Sequence, residues 1–317
     1  MSNIQKTAVV AVGGNSLIKD KEHQSSHDQY LAAVETMTHV AKLIKSGYNV
    51  VLTHGNGPQV GFALLRSEIA KDLADPVPLD YCVADTQGSI GYSFQKALEN
   101  EFRRTGINMP VATVVTQVIV DPKDPSFLKP TKPIGQFYSE EEAEEKTKKL
   151  GWNMAEDAGR GWRRVVASPK PLEIVEQKVI NLLANNGVCV IAVGGGGIPV
   201  AKNSSGDLEG TAAVIDKDYA SALLAANMKA DVFIVSTAVE KVYLNYGKAN
   251  QKSLDKVTVA ELETYCNEGH FKPGSMLPKC QAVISFLKGG GKHAIITSPE
   301  NLTKAIEGKT GTHIIRG

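Results

Sequence analysis

Three apolar, β-branched runs in this chain each end in a cluster of glycines. Val9-Val10-Ala11-Val12 leads into Gly13-Gly14-Asn15-Ser16, Val50-Val51-Leu52-Thr53 into His54-Gly55-Asn56-Gly57-Pro58, and Val188 to Val193 into Gly194-Gly195-Gly196-Gly197. Runs without polar alternation are the mark of strands buried on both faces, as in a parallel sheet. Glycine directly after such a strand lets backbone N–H groups approach a ligand, and a helix start behind it favours an anion. Open α/β sheets bind ligands along the carboxyl ends of their strands. One such loop is commonly a plain turn. Three in the same strand-to-loop position point to a long, multiply anionic substrate pair, such as a nucleotide and the acceptor of its phosphate.

The rest of the chain keeps strand and helix in alternation, which is an α/β order. Leu31, Val34, Thr38, Ala41 and Ile44 recur at helical spacing, and Gly47 closes that helix before a strand from Tyr48. Helices are expected over Val60 to Lys71 and Gly88 to Arg104, and a strand over Val111 to Val120. In the carboxyl half a helix is expected over Leu172 to Ala184, then a strand to Val193 and a helix from Lys217. A strand over Asp231 to Ser236, helices over Val259 to Asn267 and after Pro278, and strands at Lys292 to Thr297 and His313 to Arg316 complete the order, with a helix at Pro299 to Glu307 between the last two.

Between the halves the texture changes. Asp121-Pro122-Lys123-Asp124-Pro125 and Lys129-Pro130-Thr131-Lys132-Pro133-Ile134-Gly135 cannot be regular helix or central strand. Ser139 to Lys149 reads as an exposed helix with a Ser139/Glu142 capping box and Glu142/Lys146, Glu144/Lys148 and Glu145/Lys149 pairs. Residues 121–171 are expected to form an inserted subdomain. Its proline hinges make it either a lid or a surface excursion.

Composition excludes several classes. With 35 basic and 34 acidic residues there is no bulk field to attract nucleic acid or a membrane surface. Apolar residues at 42% can fill a sizeable core. Cys82, Cys189, Cys266 and Cys280 are far apart and form no metal-type pair, which fits a reduced, cytoplasmic setting. No apolar run approaches the ~20 residues of a membrane span. The first strand starts within a few residues of Met1, so no signal segment is expected.

Two common nucleotide signatures fail. A dinucleotide fingerprint beginning at Gly194 would need glycine where Pro199 stands, and Gly308-Lys309-Thr310 lacks the upstream glycine of a P-loop, where Thr303 stands. What remains is a set of lysines among loop formers: Lys132, Lys217 in Asp216-Lys217-Asp218, and Lys279 in Gly274-Ser275-Met276-Leu277-Pro278-Lys279. Phosphoryl transfer needs positioning and cations on the equatorial oxygens, which ammonium groups supply. A lone lysine is usually solvated surface. Lys217 is better placed, because two aspartates beside a helix start can hold it or cap the helix, and the roles are compatible.

Gly13-Gly14-Asn15, His54-Gly55-Asn56-Gly57-Pro58-Gln59-Val60-Gly61, Thr131-Lys132-Pro133-Ile134-Gly135, Asp216-Lys217-Asp218 and Gly274-Ser275-Met276-x-Pro278-Lys279 resemble the carbamate kinases of the amino acid kinase family. The motifs run in order from the first strand to the last. The resemblance implies an open, mostly parallel, three-layer α/β sheet flanked by helices, with an inserted protruding subdomain. It implies a lobe for carbamate or carbamoyl phosphate over residues 1–185, carrying a lid at 121–171, and a nucleotide-binding lobe over 186–317. The implied reaction is carbamate plus ATP to carbamoyl phosphate plus ADP with Mg²⁺, reversible and used to make ATP at the end of arginine breakdown. A homodimer is implied by the same analogy.

The resemblance also distributes roles. Gly13, Gly14, Asn15, Gly55, Asn56 and Gly57 hold the acceptor and the moving phosphoryl group. Lys217 and Lys279 meet the transition-state charge, and Asp218 orients both. Ala238, Val239, Glu240, Val242 and Tyr243 line the adenine and ribose site, with Gly274 and Met276 beside the nucleotide. No metal-ligating side chain is singled out. In the wider family a lysine usually lies two residues before the first glycine pair; Ala11 here departs from relatives such as acetylglutamate kinase and agrees with carbamate kinases, in which the resemblance gives that charge to the lid lysine, Lys132 here. His54 is read as a structural residue bonding backbone rather than as an acid or base. Tyr243 is equally readable as a core aromatic, and Cys266 as a buried apolar residue or as a thiol whose modification blocks the site. The alternatives are another member of the family acting on a carboxylate or UMP, and a non-catalytic nucleotide-binding regulator.

Overall fold

A computed structural model describes residues 6–13, 17–18, 22–157 and 159–317. Its centre is an eight-stranded sheet. The strands are Lys6–Val12 (β1), Tyr48–His54 (β2), Val111–Thr113 (β3), Cys189–Ile191 (β4), Val232–Ser236 (β5), Lys256–Thr258 (β6), His293–Thr297 (β7) and Thr312–Ile315 (β8). Their order is β6-β8-β7-β5-β1-β2-β4-β3. All neighbours are parallel except β7 and β8.

The three layers follow from strand geometry, since successive side chains leave a strand on opposite faces. Val9 pairs in register with Val51 and Phe233, and these pack with Leu224, Val283 and Phe286 of helices α6 (Lys217–Asn227) and α8 (Met276–Lys288). The next residue, Val10, pairs with Leu52 and Ile234 and faces Met37, Val40, Phe94 and Leu98 of helices α1 (Ser26–Lys45) and α3 (Leu79–Thr105). Both faces of the central strands are therefore dry, which is why their sequences are uninterrupted apolar runs. Every strand from β1 to β5 points its carboxyl end to one edge, so the glycine loops converge there.

Two expected elements differ. Val111 to Val120 is not one strand. Thr116 N–H is taken by Gln87 Oε1 of α3 at 2.8 Å, and Gln87 Nε2 donates to Thr116 O and Gly194 O. The chain is turned out of the main sheet there, and Gln117–Val120 joins a second sheet with Ile198–Lys202, Leu208–Gly210 and Pro171–Ile174. Leu172 to Ile174 is thus strand, and the helix expected from Leu172 begins at Gln177.

The insertion holds a three-stranded antiparallel sheet, Lys132–Tyr138, Trp162–Val166 and Met154–Glu156, and a helix over Glu140–Leu150. Pro133 sits on the outer strand, where a missing donor is tolerated. Both bonds of the Ser139/Glu142 capping box form. The strand Lys132–Tyr138 crosses helix α2 (Gly57–Ile69) at a glycine pair. A Cβ on Gly61 would lie 2.1 Å from Gly135 N and 2.2 Å from its Cα. Gly61→Ala should therefore lift the insertion off α2 and destabilise the protein by about 1–3 kcal/mol, the scale of an overpacked contact. Limited proteolysis should then cut residues 121–171 before the rest. A variant as resistant as the parent would remove this contact from the account.

Candidate active site

A cavity of about 870 Å³ opens at the carboxyl edge of the sheet. Its lining includes Gly55 to Gln59 after β2, Gly195 after β4, Thr131 to Pro133 with Arg160 and Arg163 of the insertion, Ile215 to Asp218 at the start of α6, and Lys272 to Ser275 with Lys279.

Its charged centre is Asp218. Lys217 Nζ donates to Asp218 Oδ1 at 2.5 Å, and Lys279 Nζ to Oδ2 at 3.3 Å. Lys279 also donates to Ser275 O at 3.2 Å. Asp218 is 3% exposed and Lys217 9%. Burial alone would raise the Asp218 carboxyl, but Lys217 and Lys279 outweigh it and hold the group well below the ordinary carboxylate range. Lys217 is pulled below its ordinary value by burial, with Asp218 opposing. On Lys279 burial is overcome by Asp218 and Asp216, so its ammonium is held above the ordinary value. The segments carrying Lys217 and Lys279 thus meet on one carboxylate because α6 and α8 lie side by side under the same sheet face.

The two aspartates divide their work. Asp216 is the N-cap of α6, with Oδ1 accepting from Asp218 N at 2.9 Å. Its other oxygen accepts from Lys132 Nζ at 2.6 Å. Lys132, on a strand far from both other lysines in sequence, therefore stands in the same cavity.

The loop after β2 presents backbone to the cavity. Asn56 is the N-cap of α2 but leaves the helix N–H groups uncapped; its Nδ2 donates instead to Thr86 Oγ1 at 2.9 Å. That leaves an open helix N-terminus facing the cavity at Gly55 and Gly57. Gly195, at φ +66°, lies against the Asn56 amide, where a Cβ would come within 2.2 Å of Nδ2. His54 is buried, and burial pushes it down to about 4, so it is neutral; Nδ1 donates to Gly55 O at 3.0 Å. This bond ties the ring to the loop.

Not every expected residue reaches this cavity. Gly14 and Asn15 lie outside the described residues. Gly13 lies against the end of β5, where a Cβ would stand 2.8 Å from Ser236 O, and is not among the residues lining the cavity. Gly274 lines the cavity, while Met276 packs against the apolar core. Ala238, Val239, Glu240, Val242 and Tyr243 follow β5 along the same sheet edge and are not among the residues enclosing the cavity. Tyr243 is half-buried, with its ring 5.8 Å from that of Tyr246. Cys266 packs beside the core as a free cysteine.

Sequence reading missed Asp216 as a partner of Lys132, and it missed Arg163. Arg163 is 8% exposed, donates to Asp157 Oδ2 at 3.1 Å and to Gly135 O at 2.9 Å, and lines the cavity. A signal existed: in Trp162-Arg163-Arg164-Val165-Val166, period-two alternation puts Arg163 in phase with the buried Val165.

An open sheet with lysines from three segments gathered at the mouths of its glycine loops defines a phosphoryl-transfer enzyme. Residues 6–298 match the model of the amino acid kinase family, and the chain belongs to that family. The carbamate kinase-like protein YahI of Escherichia coli K12 is 51% identical over 99% of this chain and 100% of its own. The carbamate kinase of Thermococcus kodakarensis is 48% identical over 98% and 99%. The structure of Giardia lamblia carbamate kinase bound to AMP-PNP superposes with a TM-score of 0.90 at 42% identity, covering 99% of each chain.

Proposed function

We propose that this protein is a carbamate kinase: a carbamate oxygen attacks the γ-phosphorus of ATP, the bond to ADP breaks, and carbamoyl phosphate forms, reversibly. The observation that carries the reading is the meeting of Lys132, Lys217 and Lys279 around Asp216 and Asp218. Three cations held at one point suit a group whose negative charge spreads over equatorial oxygens as it moves. The acceptor is already an anion, so no strong general base is required, in keeping with the neutral, walled-in His54.

In this reading Gly13, Gly14, Asn15, Gly55, Asn56 and Gly57 hold the acceptor and the phosphoryl group. Lys217 and Lys279 carry the transition-state charge, Asp218 sets their spacing, and Lys132 closes over them from the lid. Ala238, Val239, Glu240, Val242, Tyr243, Gly274 and Met276 serve the nucleotide. The lobes divide at residues 185 and 186. Mg²⁺ would be carried by the nucleotide phosphates, beside the Asp216 and Asp218 carboxylates, which are themselves paired with lysines. When bound, the ion neutralises phosphate charge.

A homodimer is part of the same reading. Tyr92 and Val115, 63% and 56% exposed beside the edge strand β3, are apolar surface that a second copy would cover. Among the described residues no helix is long and apolar enough to cross a membrane. We place the enzyme in the cytoplasm, making ATP at the end of arginine degradation.

The test is ATP formation from ADP and carbamoyl phosphate, with and without Mg²⁺. Activity on acetylglutamate or UMP alone would overturn the reading. Lys279→Ala should lower kcat by ~100-fold, the scale of a lost electrostatic stabiliser, with little change in KM for ADP. A variant with parental kcat would return Lys279 to the surface.

A further inference from the structure

Asp216 joins two parts of the molecule that the chain keeps 84 residues apart. Its Oδ2 accepts from Lys132 Nζ at 2.6 Å. Its Oδ1 accepts from Asp218 N at 2.9 Å and so begins the helix that carries Lys217. The pair is neither solvated surface nor deep core, with side chains 23% and 19% exposed.

We propose that Asp216 is a positioning residue that latches the lid, holding the Lys132 ammonium at the reacting end of the cavity before substrate arrives. This rests on reading Lys132 as a participant in the transfer. A free lysine side chain has large rotamer freedom to lose, and a lid that must be seated by substrate weakens apparent affinity. Holding both in the empty enzyme shifts that cost from binding to folding. The latch is compatible with turnover because an ammonium has three donors. Lys132 can keep one N–H on Asp216 while the others reach phosphoryl oxygens.

The geometry also sets where the latch sits. Lys217 and Lys279 are satisfied by Asp218, so Asp216 is free to serve the lid. The other lid contacts include Arg164 Nη1 at 2.7 Å from Glu68 Oε1, Gly135 resting on Gly61, and Val214 N donating to Ala167 O at 2.9 Å. Those contacts dock the insertion as a body. Only the Asp216 pair, among the lid's described ion pairs, reaches a residue at the start of α6.

Asp216→Asn separates the two jobs of the carboxylate. Asparagine is as good an N-cap as aspartate, so α6 keeps its start while the ionic tie to Lys132 is lost. The variant should raise KM for carbamoyl phosphate about 5- to 30-fold, the range of a lost interaction of this size, with a smaller fall in kcat. Backbone amides of residues 132–138 should exchange faster in the ligand-free enzyme. In a Lys132→Met background the same substitution should add nothing further to KM, because the two residues act as one unit. Parental KM with unchanged exchange in Asp216→Asn would overturn the latch. So would an equal rise in KM with and without Lys132, which would mean that Asp216 acts through α6. If Lys132→Met turns over like the parent, the reading of Lys132 fails on its own, and the exchange rates of the empty Asp216→Asn enzyme still decide the latch.

Discussion

Asp218→Asn is expected to lower kcat by a hundredfold or more and to destabilise the fold at the same time. Asp218 is the common anion of Lys217 and Lys279, at 2.5 and 3.3 Å. Without it two ammonium groups face one another in a nearly dry site. Removing one partner of a buried ion pair costs about 3–5 kcal/mol, because the remaining charge is left uncompensated. Lys217 is the more vulnerable, since burial already pulls it below its ordinary value and Asp218 opposes that pull. Neutral Lys217 would bring no charge to the moving phosphoryl group, so the ~10²- to 10³-fold loss typical of a missing electrostatic stabiliser follows.

The pH dependence separates this account from simple misfolding. The folded carboxyl of Asp218 lies well below the ordinary range, burial being outweighed by Lys217 and Lys279. An aspartate in the unfolded chain titrates near ~3.9. A group depressed on folding contributes stability that is complete above the unfolded value and drains away as pH falls toward the folded one. Denaturant titrations should therefore show a constant gap between parent and variant from neutral pH to about 5, closing only in acid below ~4. A gap that widens in acid, or parental kcat in the variant, would contradict this role.

The central strands were legible because both faces of β1, β2 and β5 are dry, and a strand with two dry faces has no polar alternation to hide it. The Ser139 capping box was legible because all its bonds are local. The break after Thr113 was not. Valine and threonine continue through it, and what turns the chain is the Gln87 side chain, 29 residues before the Thr116 it bonds and from another layer. Leu172 to Ile174, in the strand Pro171–Ile174, reads as helix from sequence for a like reason: its apolar residues suit either period, and the pairing that decides lies in Gln117–Val120. At the site, Lys217, Lys279 and Asp218 could be named from their motifs because glycines, prolines and paired aspartates mark them. The Lys132–Asp216 contact could not, since nothing in either neighbourhood announces a partner across the fold. The same holds for Gly61 and Gly135, each an ordinary glycine until the insertion is laid on α2.

Lys132→Ala tests whether the insertion belongs to the chemistry. The first strand of this chain carries Ala11 two residues before its glycine pair. Ala11 is 0% exposed, in register with Thr53 on one side and Val235 on the other. No cation can come from that strand without breaking the core, so the position nearest the acceptor must be served from elsewhere. Lys132 is the lid residue whose ammonium stands in the cavity with Lys217 and Lys279. Closing a lid also excludes water from a transferable phosphoryl group. Lys132→Ala should lose ~100-fold or more in kcat, as for other stabilisers of transition-state charge, while keeping the fold and nearly all affinity for ADP. Ala11→Lys is not expected to rescue it, because a long side chain inserted into a packed strand overpacks the core. Three measurements decide the matter: turnover, ADP affinity by direct titration, and unfolding midpoint. Parental turnover would make the insertion a decoration. Loss of nucleotide binding together with the fold would make Lys132 a structural residue. Loss of turnover alone is the outcome that places a lid lysine among the groups that move the phosphoryl group.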